Sequence, residues 1–472
     1  KNELPEESIL ELASFYADIK LESELIKVLD ALPNHPLAIY WRAYLHKSNT
    51  SKANELLNKA NNASTLFIFP FRTSLIPILE WATKNSTSWK PNYYLALLLH
   101  DKNKKVEALQ IVTALGTTPT DAHFYGLRAQ WNTNNLISKE ADLQKAITLD
   151  PVGWRYYKLL TQLYIQNKDY EKALAIVEKF KNSNSQENFI MDMLLAKSLL
   201  LNKKYKECDK LLSSMEVIPF EGSTDGRALY WEAKMMQGVA ALKDKNYKSA
   251  IQFINEAQEW PENLGAGKPY EADIDNRLEQ YLQYICLNAL HQSDSSQALL
   301  KKITAFKPGI FNTIRNFQPA NNLITKWAYN ELHESFDWNK WMQTQINKYP
   351  QFKETFNWVL SKANNSGERT YSNEDPWMRV IQEIMNTSHS NKNEAYIFIQ
   401  KPERRNEQTK WELVWEDNFN GTSLDSSIWN IENNEGIWNT GANAELQYYR
   451  KENVSVGDDG EGNNCLILTW PL

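Results

Sequence analysis

Three stretches of this sequence repeat one eight-residue pattern: Asn167-Lys-Asp-Tyr-Glu-Lys-Ala-Leu174, Asn202-Lys-Lys-Tyr-Lys-Glu-Cys-Asp209 and Asp244-Lys-Asn-Tyr-Lys-Ser-Ala-Ile251. The tyrosines at positions 170, 205 and 247 are 35 and 42 residues apart. In each copy a polar turn follows one predicted helix, and the tyrosine opens the next. A small residue three positions later (Ala173, Cys208, Ala250) lets two helices approach closely. The pattern therefore predicts a stack of antiparallel helix pairs.

This spacing resembles the 34-residue tetratricopeptide unit with insertions. Weaker copies, which we interpret as second helices of further pairs, occur at Ala53–Ala60, Val106–Val112, Leu143–Pro151 and Ser296–Leu300. We expect seven to nine units over residues 5–305, stacked as a right-handed superhelix. The predicted fold class is mainly α, a tetratricopeptide α-solenoid with a short C-terminal all-β segment that is jelly-roll-like and incomplete.

Three segments interrupt the repeats: Phe67–Arg72, Pro219–Gly222 and Glu259-Trp-Pro-Glu-Asn-Leu-Gly-Ala-Gly-Lys-Pro-Tyr270. Together they resemble a bacterial family of unknown function that joins a mutarotase-like β-sandwich to a tetratricopeptide tail. The resemblance covers about residues 5–310 and implies architecture rather than activity. We therefore divide the chain into a solenoid (1–310), an aromatic-rich helical extension with linkers (311–400), a linker (401–410) and a β region (411–472).

The helical extension is rich in aromatic residues and ends in one further predicted helix. Trp327, Tyr329, Phe336, Trp338, Trp341 and Trp358 recur at helical spacing in short stretches, which favours a packed core or a solenoid cap. The segment 364–373 is polar and predicts a linker, and Trp377–Met385 predicts a short helix.

The last sixty residues carry the only pattern that points to a chemical reaction. Trp411-Glu-Leu-Val-Trp-Glu-Asp-Asn-Phe-Asn-Gly421, Leu424–Trp429, Glu445-Leu-Gln-Tyr-Tyr449 and Asn453–Val456 resemble, in that order, the start of a glycoside hydrolase family 16 (laminarinase-like) domain. The resemblance implies retaining hydrolysis of internal β-linkages in a β-glucan. It nominates Asn443, Glu445, Gln447 and Tyr449 as sugar contacts. The alternative is that Glu445 and Gln447 satisfy buried backbone groups while Leu446 and Tyr448 pack.

The catalytic carboxylates of that family are missing from this sequence. Retaining glycosidases use two carboxylates about 5–5.5 Å apart, and family 16 supplies them from a Glu-x-Asp-x-(x)-Glu strand that does not occur between Tyr449 and Leu472. A near-match, Glu271-Ala-Asp-Ile-Asp275-Asn276, precedes a helical run, so we predict that Asp273 or Asp275 caps that helix. No catalytic residue is assigned, and an incomplete sheet implies either a truncated sequence or a small β appendage. We expect Trp411, Trp415, Trp429 and Tyr448 to face the interior of the few strands that form.

Charge, hydropathy and cysteine spacing exclude several classes of protein. Residues 411–472 contain eleven acidic and two basic residues, a net charge of −9, whereas the rest of the chain carries +3. This step marks a boundary near residue 410, and neither part has the basic stripe of a nucleic-acid binder. No apolar run of about 18 residues is present to span a membrane. Cys208, Cys286 and Cys465 fit no metal-ligand spacing, so we predict unreactive thiols, no metal and no cofactor.

Two functions follow as expectations. The first is a carbohydrate-active protein, by resemblance a retaining endo-β-glycosidase with a repeat scaffold, and we expect residues 1–472 alone to be inactive. A polysaccharide is then its ligand, and an extracytoplasmic location is favoured. The second is a non-enzymatic scaffold that binds a protein, peptide or glycan on the concave face of the solenoid.

Overall fold

The computed structural model describes residues 5–132, 135–184, 188–219, 224–271, 274–307, 317–364 and 375–389, together with 419, 423–425, 429, 454–458 and 464–468. The chain divides into two compact units, Lys1–Gln400 and Lys401–Leu472.

The repeated turn pattern produces one recurrent local geometry. Lys168, Lys203 and Lys245 adopt left-handed backbone conformations with φ of 62°, 60° and 56°. In each turn a backbone N–H reaches back to the carbonyl five residues earlier, as in the Schellman end of a helix. These bonds are Asp169 N to Tyr164 O (2.8 Å), Lys204 N to Leu199 O (2.9 Å) and Asn246 N to Ala241 O (2.9 Å). The next helix then begins at Tyr170, Tyr205 or Tyr247, which confirms the predicted equivalence of the three tyrosines.

Within the described residues, the first unit is formed by α-helices. They are α1 Pro5–Asp18, α2 Glu22–Asp30, α3 Pro36–Leu45, α4 Thr50–Asn62, α5 Ile76–Asn85, α6 Lys90–Asp101, α7 Lys105–Ala114, α8 Ala122–Trp131, α9 Leu136–Leu149, α10 Trp154–Gln166, α11 Tyr170–Ser183, α12 Phe189–Leu201, α13 Tyr205–Ser214, α14 Asp225–Lys243, α15 Tyr247–Ala257, α16 Arg277–Ala289, α17 Ser293–Ala305, α18 Asn322–Glu331, α19 Trp338–Lys348, α20 Lys353–Ala363 and α21 Pro376–His389.

These helices pack as successive hairpins, as the sequence predicted. Eight hairpins are formed by α1/α2, α3/α4, α6/α7, α8/α9, α10/α11, α12/α13, α14/α15 and α16/α17. The second helix of one hairpin packs on the first helix of the next, as α11 does on α12 and α13 on α14. First helices also touch one another, α10 on α12 and α12 on α14. The first unit is therefore a tetratricopeptide α-solenoid, in which the first helices α10, α12 and α14 lie side by side. The handedness of its superhelix stays a prediction.

The small residues of the repeat lie where the two helices of a hairpin meet. Ala173, Cys208 and Ala250 are completely buried. In the third copy, a side chain on Gly238 of α14 would contact α15, since its Cβ would lie 3.1 Å from Ile254 Cγ1. This close approach explains why the pattern requires a small side chain at that position.

The interior consists of two hydrophobic clusters that meet at α14. Tyr230 and Ala233 belong to the cluster that begins at α1, whereas Trp231 and Met235 belong to the cluster that extends through α18, α20 and α21. Trp338 and Trp358 of the aromatic-rich extension are buried in the second cluster, as expected for a core. In the described part of the chain, no helix is both long and apolar enough to cross a membrane.

The described part of the second unit is small. Strand β1, Val454–Asp458, pairs antiparallel with β2, Asn464–Leu468, so that Val456 lies opposite Leu466. Trp429 is half-buried, and its ring centre lies 5.7 Å from that of Phe419. Trp411, Trp415 and Tyr448 lie outside the described residues, so their inward placement and the jelly-roll topology stay predictions.

Candidate functional site

The sugar contacts that the sequence nominated cannot be placed. Asn443, Glu445, Gln447 and Tyr449 all lie outside the described residues. Their assignment therefore stays a prediction, and so does the alternative that they serve packing and backbone hydrogen bonding.

Helix α14 carries a buried aromatic ring next to a buried carboxyl group. Trp231 and Glu232 are adjacent on this helix, and both are almost completely buried. Helix α21, which comes much later in the sequence, packs on α14 and covers part of both side chains. We call Trp231, Glu232 and Lys243 the α14 face, because each of the three contacts α21.

Glu232 forms the central contact of the α14 face. Its two carboxylate oxygens accept hydrogen bonds from Nε and Nη2 of Arg379, each at 2.6 Å. The pair joins residues 147 positions apart in the chain. Burial raises the pKa of the Glu232 carboxyl, and Arg379 opposes that shift. The planar guanidinium of Arg379 matches both carboxylate oxygens of Glu232, which makes this a bidentate pair.

Trp231 provides the aromatic contact. Its ring stacks on Trp377 of α21, with centres 4.2 Å apart and planes inclined by 25°. The indole Nε1 of Trp231 donates a hydrogen bond of 2.6 Å to Oε1 of Glu279 on α16. Glu279 therefore fixes the orientation of the ring that Trp377 meets.

Glu279 is itself in an unusual environment. Burial raises the pKa of its carboxyl to about 7, while the hydrogen bond from Trp231 opposes the shift. Its Oε2 is buried without a hydrogen-bond partner among the residues that the structure describes. The neighbouring charges have opposite effects, since Asp275 raises the pKa of Glu279 and Arg227 lowers it.

The remaining contacts of α21 are a peripheral ion pair and an apolar stripe. Lys243 pairs with Glu383, and both side chains are partly exposed. Met378, Val380, Ile381 and Ile384 of α21 are buried in the second hydrophobic cluster. Helix α21 begins after Asp375, whose Oδ1 accepts the backbone N–H of Trp377 at 2.8 Å.

The near-match to a catalytic signature has a structural role. Helix α16 begins at Arg277, and the N-cap position that the sequence suggested for Asp275 is occupied by Asn276, which makes no side-chain cap hydrogen bond. Asp275, one residue earlier, accepts the backbone N–H of Arg277 at 3.4 Å. It also forms a buried ion pair with Arg277, with Oδ2 2.6 Å from Nη2, and accepts the backbone N–H of Gln318 at 3.0 Å. Its main role is therefore to provide the counter-charge that a buried arginine requires. Asp273 lies outside the described residues.

The loop at 259–270 is also structural in its described contacts. The side-chain amide of Asn263 donates to the carbonyls of Leu212 and Met215 at 2.9 and 2.8 Å. Gly265 has φ of +68°, and a Cβ there would lie 2.8 Å from the carbonyl oxygen of Val217. The Asn-Leu-Gly part of the motif thus holds the segment after α13.

The three cysteines are free thiols, and two of them are buried. Cys208 and Cys286 are buried free thiols, and burial raises the pKa of each to about 12. Cys465 is a half-buried free thiol. Among the residues that the structure describes, no group of three or more His, Cys, Asp or Glu side chains could hold a metal ion.

Two curated proteins are similar to short segments of the chain. No protein-family model matches the chain. A 54-residue segment, 10% of this chain, is 48% identical to glucan endo-1,3-beta-glucosidase A1 of Niallia circulans and covers 8% of it. A 61-residue segment, 13% of this chain, is 48% identical to the clotting factor G alpha subunit of Tachypleus tridentatus and again covers 8% of it.

Solved structures of repeat proteins are similar at low identity. The C-terminal part of a TPR repeat-containing protein from Cytophaga hutchinsonii matches 52% of this chain and 93% of its own length, at 16% identity and a TM-score of 0.31. A tetratricopeptide repeat protein from Parabacteroides merdae matches 62% of this chain and 98% of its own, at 14% identity and a TM-score of 0.27.

Sequence patterns missed the α14 face. The helix at Trp377–Met385 was predicted, and Arg379 and Glu383 stand four residues apart, as charges on one helix face do. Nothing in the sequence paired that face with Glu232, because the two partners lie on helices joined only by tertiary packing.

Proposed function

We propose that this chain is a tetratricopeptide scaffold that binds a helical segment of a protein partner along α14. One observation carries the proposal: the α14 face already holds a helix of the same chain through a bidentate ion pair, a ring stack and an apolar stripe. An amphipathic helix that lays its apolar face on a groove is a common mode of peptide recognition. The α14 face provides a charged partner and an aromatic ring for such a helix.

Binding of a free helix is the direct test. The acceptor is the full chain with Trp377→Ala and Arg379→Glu, which removes the ring stack, places a second carboxylate against Glu232 and so weakens the binding of α21 to α14. A fluorescent peptide of residues 375–389 should bind this variant saturably, and bind the wild-type chain more weakly because α21 occupies the face. A scrambled peptide of the same composition is the control. If the peptide binds neither chain, the proposed function is wrong.

A second candidate function is action on a β-glucan through residues 411–472. It is favoured by the 54-residue segment that is 48% identical to a glucan endo-1,3-beta-glucosidase. The ligand would be a laminarin-like polysaccharide, and Asn443, Glu445, Gln447 and Tyr449 would contact it. Since the sequence lacks the paired carboxylates of retaining glycosidases, we expect binding of glucan by these residues rather than its hydrolysis. Retention of the chain on an insoluble β-1,3-glucan tests this candidate.

A further inference from the structure

We infer that the α14 face selects helices that carry an aromatic residue and, two positions later, an arginine, and that α21 is its intramolecular competitor. This inference rests on the proposed function and names the chemistry of the partner. Its occupant in trans is an amphipathic helix with the charge and ring pattern of α21.

Selection for arginine follows from the geometry at Glu232. The side chain of Glu232 is 1% exposed, and both of its oxygens are engaged by two different nitrogens of Arg379. A lysine would offer one point charge instead of a planar fork, so it could not engage both oxygens in the same way. A helix with a neutral residue at this position would leave a buried carboxylate unpaired, which strongly disfavours its binding.

Selection for an aromatic residue follows from the fixed ring of Trp231. Its indole is held by the 2.6 Å hydrogen bond to Glu279, so a flat surface is presented before any helix binds. The ring of Trp377 stacks on this surface, and the two ring centres lie 4.2 Å apart. A ring that is already oriented loses little side-chain freedom on binding.

The charges also determine the direction of the bound helix. Along α14 the face presents an acid, Glu232, and then a base, Lys243, while α21 presents Arg379 and then Glu383. The two helices therefore run in the same direction. A reversed helix would place Glu383 near Glu232, and such like-charge contacts exclude alternative binding modes.

Because α21 is part of the same chain, it competes at a high local concentration. A tethered ligand faces its site at an effective concentration in the millimolar range. A partner helix must therefore displace α21, and weakening the Glu232–Arg379 pair in the chain should strengthen binding in trans.

A peptide series on one acceptor tests the selection. The acceptor is the full chain with Trp377→Ala and Arg379→Glu, and the donors are peptides of residues 375–389 with the natural sequence, Arg379→Lys, Arg379→Gln, Trp377→Ala or Glu383→Gln. We expect dissociation constants at least about tenfold higher for the Lys, Gln and Ala peptides, and within about threefold for Glu383→Gln, whose partner is exposed. Adding Glu232→Gln to the acceptor should abolish the preference for arginine over glutamine.

The outcomes separate this inference from the proposed function. Equal binding of all helical peptides would overturn the selection and leave the scaffold proposal intact, whereas no binding of any peptide would overturn both. Light scattering on the wild-type chain adds a further outcome: a dimer with exchanged α21 helices would mean that a second copy is the occupant, and would overturn the inference of a distinct partner.

A measurement in the intact chain guards against misfolding of the acceptor. Hydrogen exchange of the α21 amides is compared among wild type, Glu232→Gln, Arg379→Gln and the double variant. If the pair acts as inferred, each single change should increase exchange, and the second change should add little to the first. Additive effects would contradict direct coupling of Glu232 with Arg379.

Discussion

Glu279 shows how one buried residue makes the solenoid sensitive to pH. Its carboxyl accepts the indole N–H of Trp231, and burial raises its pKa to about 7 from an ordinary value of 4.5. A carboxyl whose pKa is higher in the folded state binds its proton more tightly there than in the unfolded chain. The stability it contributes is therefore complete below about pH 4.5 and is lost as the pH rises through about 7.

We predict that Glu279→Gln flattens this pH dependence. The neutral amide keeps an oxygen for Trp231 but has no charge to bury, so the variant should be more stable than wild type at pH 8, by up to about 3 kcal/mol. Urea unfolding at pH 5.5, 7 and 8.5 measures the change. Some slope should persist, since burial also raises the pKa of Glu232.

The control for this measurement is Glu262→Gln, which replaces an exposed carboxyl in the 259–270 segment. It should leave the pH dependence of wild type unchanged. A Glu279→Gln variant that loses stability equally at all three pH values would contradict a raised pKa for Glu279.

At the scale of elements, the hairpins are held together at their crossing points. Ala250 of α15 is completely buried, and its carbonyl oxygen would lie 3.5 Å from a Cβ built on Gly238 of α14. The two helices leave no room for a larger side chain here. The same small position recurs in the hairpins formed by α10/α11 and α12/α13, where it is occupied by Ala173 and Cys208.

We predict that Ala250→Leu lowers the free energy of unfolding by about 1–3 kcal/mol, because the added side chain overpacks the α14/α15 crossing. Chemical denaturation monitored by circular dichroism measures the loss. Lys248→Leu on the exposed side of the same helix is the matched control and should change stability by less than about 0.5 kcal/mol. Equal effects of the two substitutions would show that close helix contact is not what the repeat requires.

At the scale of the molecule, the chain combines a repeat unit with a second, C-terminal unit, of which the structure describes strands β1 and β2. The repeat unit provides the α14 face, and the proposed glucan contacts all belong to the second unit. In the sequence, the Glu-x-Asp-x-(x)-Glu pattern that would supply paired carboxylates does not occur between Tyr449 and Leu472. Binding of a β-glucan and its hydrolysis can therefore be measured as separate properties of this chain.

We predict that the chain releases no reducing ends from laminarin, because retaining hydrolysis needs a nucleophile and an acid/base pair that this sequence lacks. A reducing-end assay with laminarin and mixed-linkage glucan measures this, and an active β-1,3-glucanase is the positive control. Turnover well above a heat-inactivated sample would mean that the acids lie elsewhere in the chain.

The sequence by itself determined the repeat fold. The Lys-x-Tyr-x-x-small pattern is local, because the left-handed turn residue, the first residue of the next helix and the small crossing residue all lie within six positions. The sequence likewise predicted a helix at 377–385, within the observed helix α21. The sequence alone also nominated Asn443, Glu445, Gln447 and Tyr449 as sugar contacts, which stays a prediction because these residues lie outside those that the structure describes.

Only the tertiary structure decided what α21 does. Glu232 and Arg379 are 147 residues apart, and a charge pattern on one helix does not specify which buried carboxylate it will meet. The same holds for Asp275, which local pattern suggested as a cap and which the fold uses to neutralise buried Arg277. Local propensity specifies helices and turns because its interactions span a few residues, whereas buried ion pairs depend on which helices the stacking of hairpins brings together.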